Sequence, residues 1–241
     1  MKKKALVILL NCGAALALAE DFQSFNNNAY LQYGSTYMNQ GASGNANGYT
    51  LGATYQSKAN IWINAEAYGS AYNSNSWQVL STTNPPSSLG GSTYGLFLAT
   101  AKAGYAFQFF KNINNGFQVI PYATFSYGTS LGALTENYGG GVKPEYRFSD
   151  SLKVSLDSMA YSTTQNGGGA VPAAVNPAFS GNMDLGTVQD FRYTLNPEVQ
   201  YDISHIVLLG IGYKYDQSFN NQPNGNPDGN STVYARIGVL F

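Results

Sequence analysis

The chain has 241 residues, a net charge near -1, 27 glycines, 14% aromatic residues and only 10% charged ones. Soluble domains average about a quarter charged residues, so this composition argues against an ordinary water-facing surface. It also lacks the basic excess that would attract nucleic acid.

The first element is an export segment. Met1 is followed by Lys2, Lys3 and Lys4, then by an apolar stretch of roughly 15 residues ending Ala17-Leu18-Ala19, which are the three parts of a secretory signal peptide. Cleavage is expected after Ala19, giving residues 1–19 as signal and 20–241 as one mature domain. A membrane anchor would need about 20 apolar residues, and Asn11, Cys12 and Gly13 interrupt this run. Cys12 lies inside the signal, and Leu10-Asn11 before it lacks the small residue of a lipoprotein site. The mature chain therefore has neither a disulfide framework nor a thiol nucleophile. Removing three of the 12 Lys and Arg leaves nine against 13 Asp and Glu.

After residue 19 the sequence reads at period two, in about ten segments of roughly 9 to 15 residues bounded by Gly, Asn, Ser and Pro. Their spans are 29–38, 48–57, 60–72, 93–108, 117–127, 137–148, 152–162, 190–203, 206–217 and 232–241. In the eighth, Phe191, Tyr193, Leu195, Pro197, Val199, Tyr201 and Ile203 alternate with Arg192, Thr194, Asn196, Glu198, Gln200 and Asp202. Successive side chains on a strand point to opposite faces, so each segment has an oily side and a wet side.

Charges obey the same parity. Glu66, Lys102, Lys143, Glu145, Arg147, Lys153, Asp157, Arg192, Glu198, Asp202, Lys214, Asp216 and Arg236 all take the phase opposite to their strand's apolar residues. A soluble sheet turns its apolar face inward; a transmembrane barrel turns it outward and keeps a polar lumen. The scarcity of charge selects the second. Connections alternate between short ones (57–59, 109–116, 149–151, 204–205) and mostly longer ones (39–48, 73–92, 128–136, 162–189, 218–231), which matches short periplasmic turns and longer external loops. The fold expected is an all-β, closed, antiparallel up-and-down transmembrane barrel of about ten strands, with both termini periplasmic. Pro121, Pro144 and Pro197 fall on the outward phase near the periplasmic ends, where a bulge or bend is tolerable. Residues 143–148 and 196–201 (K-P-E-Y-R-F, N-P-E-V-Q-Y) form a weak internal repeat.

The last segment carries Val233, Ala235, Ile237, Val239 and Phe241 on the apolar phase. Here the chain resembles the Gram-negative outer-membrane β-barrel superfamily, including its small porin-like and opacity-type barrels, whose terminal strand ends on Phe with apolar residues at every second position. The resemblance implies that these five residues are the signal read by the barrel-assembly machinery, and that the chain sits in the bacterial outer membrane among lipid and lipopolysaccharide. Leu240, on the lumen phase, departs from the pattern.

Enzymes occur among such barrels. A Ser/His lipase needs its histidine beside a serine at the membrane or external rim. The single histidine, His205, lies with Asp202 and Ser204 in an expected periplasmic turn. Omptin proteases resemble this chain in their ten-strand barrel, and their mechanism uses Asp/His and acidic pairs at the external rim. No histidine lies there, and Glu136, Asp184, Asp190, Asp216 and Asp228 are scattered. The asparagine-rich run 220–230 offers calcium-like oxygens but one carboxylate, which reads as a loop. No enzyme, metal or cofactor is expected.

Lumen charges are balanced, seven basic against six acidic. Buried charges need partners, and the candidate pairings are Arg147 with Asp157 or Lys153, Glu198 with Lys214, and Asp216 with Arg236. A ten-strand barrel leaves a narrow bore after such pairing. The leading expectation is a small porin-like channel for ions or small polar solutes. The alternative is a closed scaffold whose external loops, with Trp77 and Phe179, serve adhesion or recognition. Oligomeric state is left open.

Overall fold

The computed structural model describes residues 22–39, 43–73, 93–111, 115–130, 133–166, 187–219 and 229–241. The expected signal segment with Cys12, and Trp77, Phe179, Asp184, Asp228 and most of the longer connections, lie outside the described residues.

One short helix, α1 (Phe22–Asn26), precedes the strands β1 (Asn28–Asn39), β2 (Ser43–Gln56), β3 (Ile61–Asn73), β4 (Thr93–Tyr105), β5 (Phe107–Lys111), β6 (Gly116–Ser130), β7 (Ala133–Arg147), β8 (Leu152–Asn166), β9 (Thr187–Ile203), β10 (Val207–Ser218) and β11 (Gly229–Leu240). Sequence-neighbouring strands pair antiparallel, except that β4 and β5 do not pair with each other. The first and last strands pair from Asn28↔Leu240 to Asn39↔Gly229, so the sheet closes on itself and leaves no edge. Both β4 and β5 pair with β6, through Gly104↔Tyr122 and Phe107↔Val119. They form one stave interrupted at Ala106, and the barrel has ten staves, as the parity of the sequence requires.

The prolines explain that interruption. Pro121 lies where Tyr105 would pair, and the β4–β6 ladder stops one step before it, at Gly104↔Tyr122. The β7–β8 ladder jumps from Val142↔Ser158 to Glu145↔Ser155, passing over Pro144. The β9–β10 ladder jumps from Gly212↔Glu198 to Tyr215↔Leu195, passing over Pro197. Each proline lacks the N–H that would close its ladder step, and each gap is local.

Strand boundaries differ from the periodicity mainly at the external ends. β2 begins at Ser43, β7 at Ala133, β9 at Thr187 and β11 at Gly229, while β8 runs on to Asn166. These extensions are rich in Asn, Gly, Ser and Thr, whose weak alternation hides strand pairing that rises above the lipid.

Outside, the barrel is oily. Leu31, Leu51, Ile63, Leu195, Ile211, Val233 and Ile237 are all exposed around the middle of the wall. Aromatic residues flank this belt, as at membrane interfaces. Tyr105 and Phe107 (ring centroids 5.0 Å apart) with Tyr146 and Phe148 (4.6 Å) sit towards the short turns. Phe191 and Phe219 (4.9 Å) with Tyr193 sit at the opposite rim. Leaving such residues in water would cost the hydrophobic term for each; lipid removes it.

Candidate functional site: the plugged lumen

The interior is built from the inward phase of the strands plus α1. A five-residue helix has no stability of its own, so its placement is tertiary. Phe22 and Phe25 are fully buried inside the periplasmic mouth of the barrel. Phe25 packs on Leu208 and Leu240, the inward residues at the periplasmic ends of β10 and β11. Leu240 thus departs from the polar lumen phase because it faces the plug. The Arg147 guanidinium lies 6.0 Å from the Phe22 ring and the Lys153 ammonium 5.5 Å from the Phe25 ring, both in cation–π range.

Above the phenylalanines a polar layer crosses the bore. Asn26 Nδ2 donates to Gln56 Oε1 (2.7 Å) and to Glu145 Oε2 (2.8 Å), while its Oδ1 accepts from Lys153 Nζ (2.6 Å). Gln118 Nε2 donates to the same Glu145 oxygen at 2.6 Å, and Gln56 and Gln118 exchange amide bonds at 3.1 and 3.2 Å. Glu145 Oε1 receives Lys143 at 2.9 Å and Lys153 at 3.1 Å. Both Glu145 oxygens are therefore saturated in a site closed to solvent, where a charge survives only if it is paired and hydrogen-bonded. Asn28 Nδ2 donates to Phe25 O (2.6 Å), Asn27 Oδ1 accepts from Gln56 N (2.7 Å), and Phe241 N donates to Asn27 O (3.0 Å), fastening the helix to three strands.

A second layer begins with Trp62, Ala106, Ile120 and Tyr122, an inward apolar cluster at mid-height. Over it opens a cavity of about 290 Å³ lined by Glu66, Lys102, Lys143, Asp157, Glu198, Lys214, Asp216 and Arg236 among Thr, Asn and Tyr side chains. Tyr234 lines its wall and Tyr30 is buried in it: a Cβ added at Gly52 would clash with the Tyr30 ring and one at Gly212 with the Tyr234 ring, so glycine on the neighbouring strand makes the room.

Eight of the thirteen charged positions read from the sequence line this cavity, and Glu145, Arg147, Lys153 and Asp202 are buried outside it, but the ion-pair partners differ from the sequence pairings. Asp157 binds Lys102 (2.8 Å) and accepts from Tyr122, rather than meeting Arg147. Arg147 instead binds Asp150 (3.1 Å) across the short β7–β8 turn, and stands directly opposite the like-charged Lys153 in the ladder. Glu198 binds Arg236 (3.3 Å), not Lys214. Asp216 binds Arg192 (2.6 Å) and accepts from Tyr161 and Thr194, not from Arg236. The pairings read from sequence assumed immediate neighbours, whereas long side chains reach along and across the tilted wall to acids such as Asp157, which lies three strands from Lys102.

Asp202 and His205 meet in the β9–β10 turn. The Asp202 carboxylate accepts from the His205 backbone N–H and contacts Nδ1, both at 2.8 Å. Ser204 and His205 have φ of 58° and 56°, the double left-handed geometry of a tight hairpin, which the carboxylate holds in place. The pair is a turn clasp, and no serine hydroxyl joins it among the described residues. Nor is any group of three His, Cys, Asp or Glu there placed to hold a metal.

No family model and no curated protein matches the sequence. Solved structures do. The transport unit of the autotransporter AIDA-I from Escherichia coli is 10% identical over 96% of this chain and 97% of its own, with a TM-score of 0.51. The outer membrane protease OmpT from Escherichia coli (9% identity, 90% and 94% covered, TM-score 0.49) and the NanC porin (12%, 88% and 98%, 0.45) are also similar. At such identities the likeness concerns the fold. With its closed ten-stave wall, oily outside and charged inside, the chain has the architecture of the Gram-negative outer-membrane β-barrel proteins.

Proposed function

We propose that this protein is an outer-membrane barrel that is closed at its periplasmic end by its own N-terminal helix, and that it works as a non-conducting scaffold presenting its external side. The observation that supports this reading is the Asn26 layer: one side chain ties Gln56, Glu145 and Lys153 together across the bore. Phe22 and Phe25, fully buried, fill the mouth below it. An ion would have to break buried, charge-assisted hydrogen bonds to pass. The porin-like channel expected from the parity would need this seal to open.

The test is conductance across a planar bilayer, using protein purified from outer membranes and shown to be folded by a heat-modifiable gel shift. The expected trace is silent. Discrete steps in the unmodified protein would restore the channel reading. A gated channel is the second reading, favoured by the small size of the seal. Steps that appear only in a Phe22→Ala, Phe25→Ala double variant would support it.

A further inference from the structure

The charges that line the cavity are not equally committed. Lys102 is paired with Asp157 at 2.8 Å, Arg236 with Glu198 at 3.3 Å, Asp216 with Arg192 at 2.6 Å and Lys143 with Glu145 at 2.9 Å. Two charges of opposite sign are left over. Among the described residues Lys214 has neither an ion pair nor a hydrogen bond, although its side chain is exposed to the cavity that it lines. Among the described residues Glu66 has no ion pair either; its carboxylate accepts a single hydrogen bond there, 2.6 Å from the Tyr30 hydroxyl. Lys102, Arg236 and Lys214 act on Glu66 electrostatically, but the first two are held by their own acids.

Both groups belong to one cavity of about 290 Å³, just under the range that takes drug-sized ligands. Trp62 lies at its floor with the Lys143 ammonium 5.5 Å over its ring, and the buried indole Nε1 has no acceptor. The Tyr30 ring, with Arg236 stacked at 3.9 Å, holds the Glu66 side of the wall rigid.

We infer that this cavity binds a small zwitterion, whose anionic group docks on Lys214 and whose cationic group docks on Glu66. A zwitterion satisfies both groups and adds no net charge to a wall already paired elsewhere. A simple anion would meet Lys214 but leave Glu66 with its Tyr30 bond alone, and a simple cation the reverse; either adds net charge to the cavity. The separation of the two protein charges sets the preferred separation of the ligand's charges, so chain length is the specificity variable. This inference rests on the closed periplasmic end, which makes the cavity a dead-end cup instead of a passage.

The probes are ω-amino acids of increasing length (glycine, 4-aminobutyrate, 6-aminohexanoate), with butyrate and butylamine as singly charged controls. The protein, carrying Trp77→Phe so that Trp62 is its one remaining tryptophan, is held in lipid nanodiscs, and Trp62 fluorescence is followed with calorimetry as a second readout. Saturable binding is expected, with one chain length at least tenfold tighter than either control. Lys214→Met and Glu66→Gln, each verified as folded by gel shift, should each weaken it at least tenfold. Butyrate binding as tightly as the best amino acid, Glu66→Gln leaving affinity unchanged, or no saturable response to any member would each overturn the inference. Conductance measured on the same preparation separates the two readings. A conducting barrel that binds the series overturns the closed reading alone, and a silent barrel that binds nothing overturns the zwitterion site alone.

Discussion

Asn26 and Glu145, 119 positions apart in the chain, are joined by a 2.8 Å hydrogen bond inside the barrel. The bond couples the one helical turn among the described residues to the strand that carries the central acid of the periplasmic layer. Because Glu145 also neutralises Lys143 and Lys153, it is the residue on which the buried layer depends.

Glu145→Gln keeps the shape and removes the charge. Two buried ammonium groups then lose their counter-ion, and the expected loss is about 3–5 kcal/mol of stability. Urea unfolding of the protein in lipid vesicles measures it. Adding Lys153→Met should recover part of the loss, because it deletes one of the two stranded cations. Equal stability of wild type and Glu145→Gln would show that the layer is wetter than its burial implies.

Leu240→Ala should cost about 2–5 kcal/mol, the range for opening a core cavity, since Leu240 packs on Phe25 and Leu208. A double-mutant cycle with Phe25→Ala distinguishes a plug contact from simple strand packing. Coupling of about 0.5–3 kcal/mol is expected for residues in contact, and additivity would mean that the helix does not occupy the mouth.

The outer face should show depth dependence. Ile211 is 62% exposed in the aliphatic belt, and Ile211→Arg is expected to destabilise by about 2–4 kcal/mol. Val239, paired with Ala29 and Val207 near the strand ends, should tolerate the same change at about 0–1 kcal/mol. If the order reversed, the belt would be misplaced along the barrel axis.

The terminal residue separates assembly from stability. Phe241 is exposed at the rim and its backbone N–H holds Asn27 O, a bond that Phe241→Ser retains. We expect Phe241→Ser to lower the amount of folded barrel recovered from outer membranes while leaving unfolding of refolded protein nearly unchanged. A matching fall in both would reduce Phe241 to a packing residue.

The expected signal peptide makes a prediction of its own. Edman sequencing of protein from outer membranes should begin at Glu20, two residues before the plug. A start at Met1 would leave the three lysines of the leader attached directly below the barrel mouth.

Parity alone determined the wall. Side chains alternate strictly on a strand, so thirteen charges on one phase and apolar residues on the other were enough to give a closed barrel, which face meets lipid, and which side chains turn inward. Clues to the plug were present too: Leu208 and Leu240 are apolar on the polar phase, and Phe22 and Phe25 stand at helical spacing just before β1. Taken one strand at a time, only Leu240 stands out as a departure from the pattern. The meaning of these residues came only from closure, which brings the periplasmic ends of β1, β10 and β11 around a single helical turn. The ion pairs were likewise beyond the sequence, because the partner of a long inward side chain is set by strand tilt and by which other charges have already been taken. Lys214 and Glu66 stand apart for that reason: only the folded lumen reveals which charges its own network leaves unanswered.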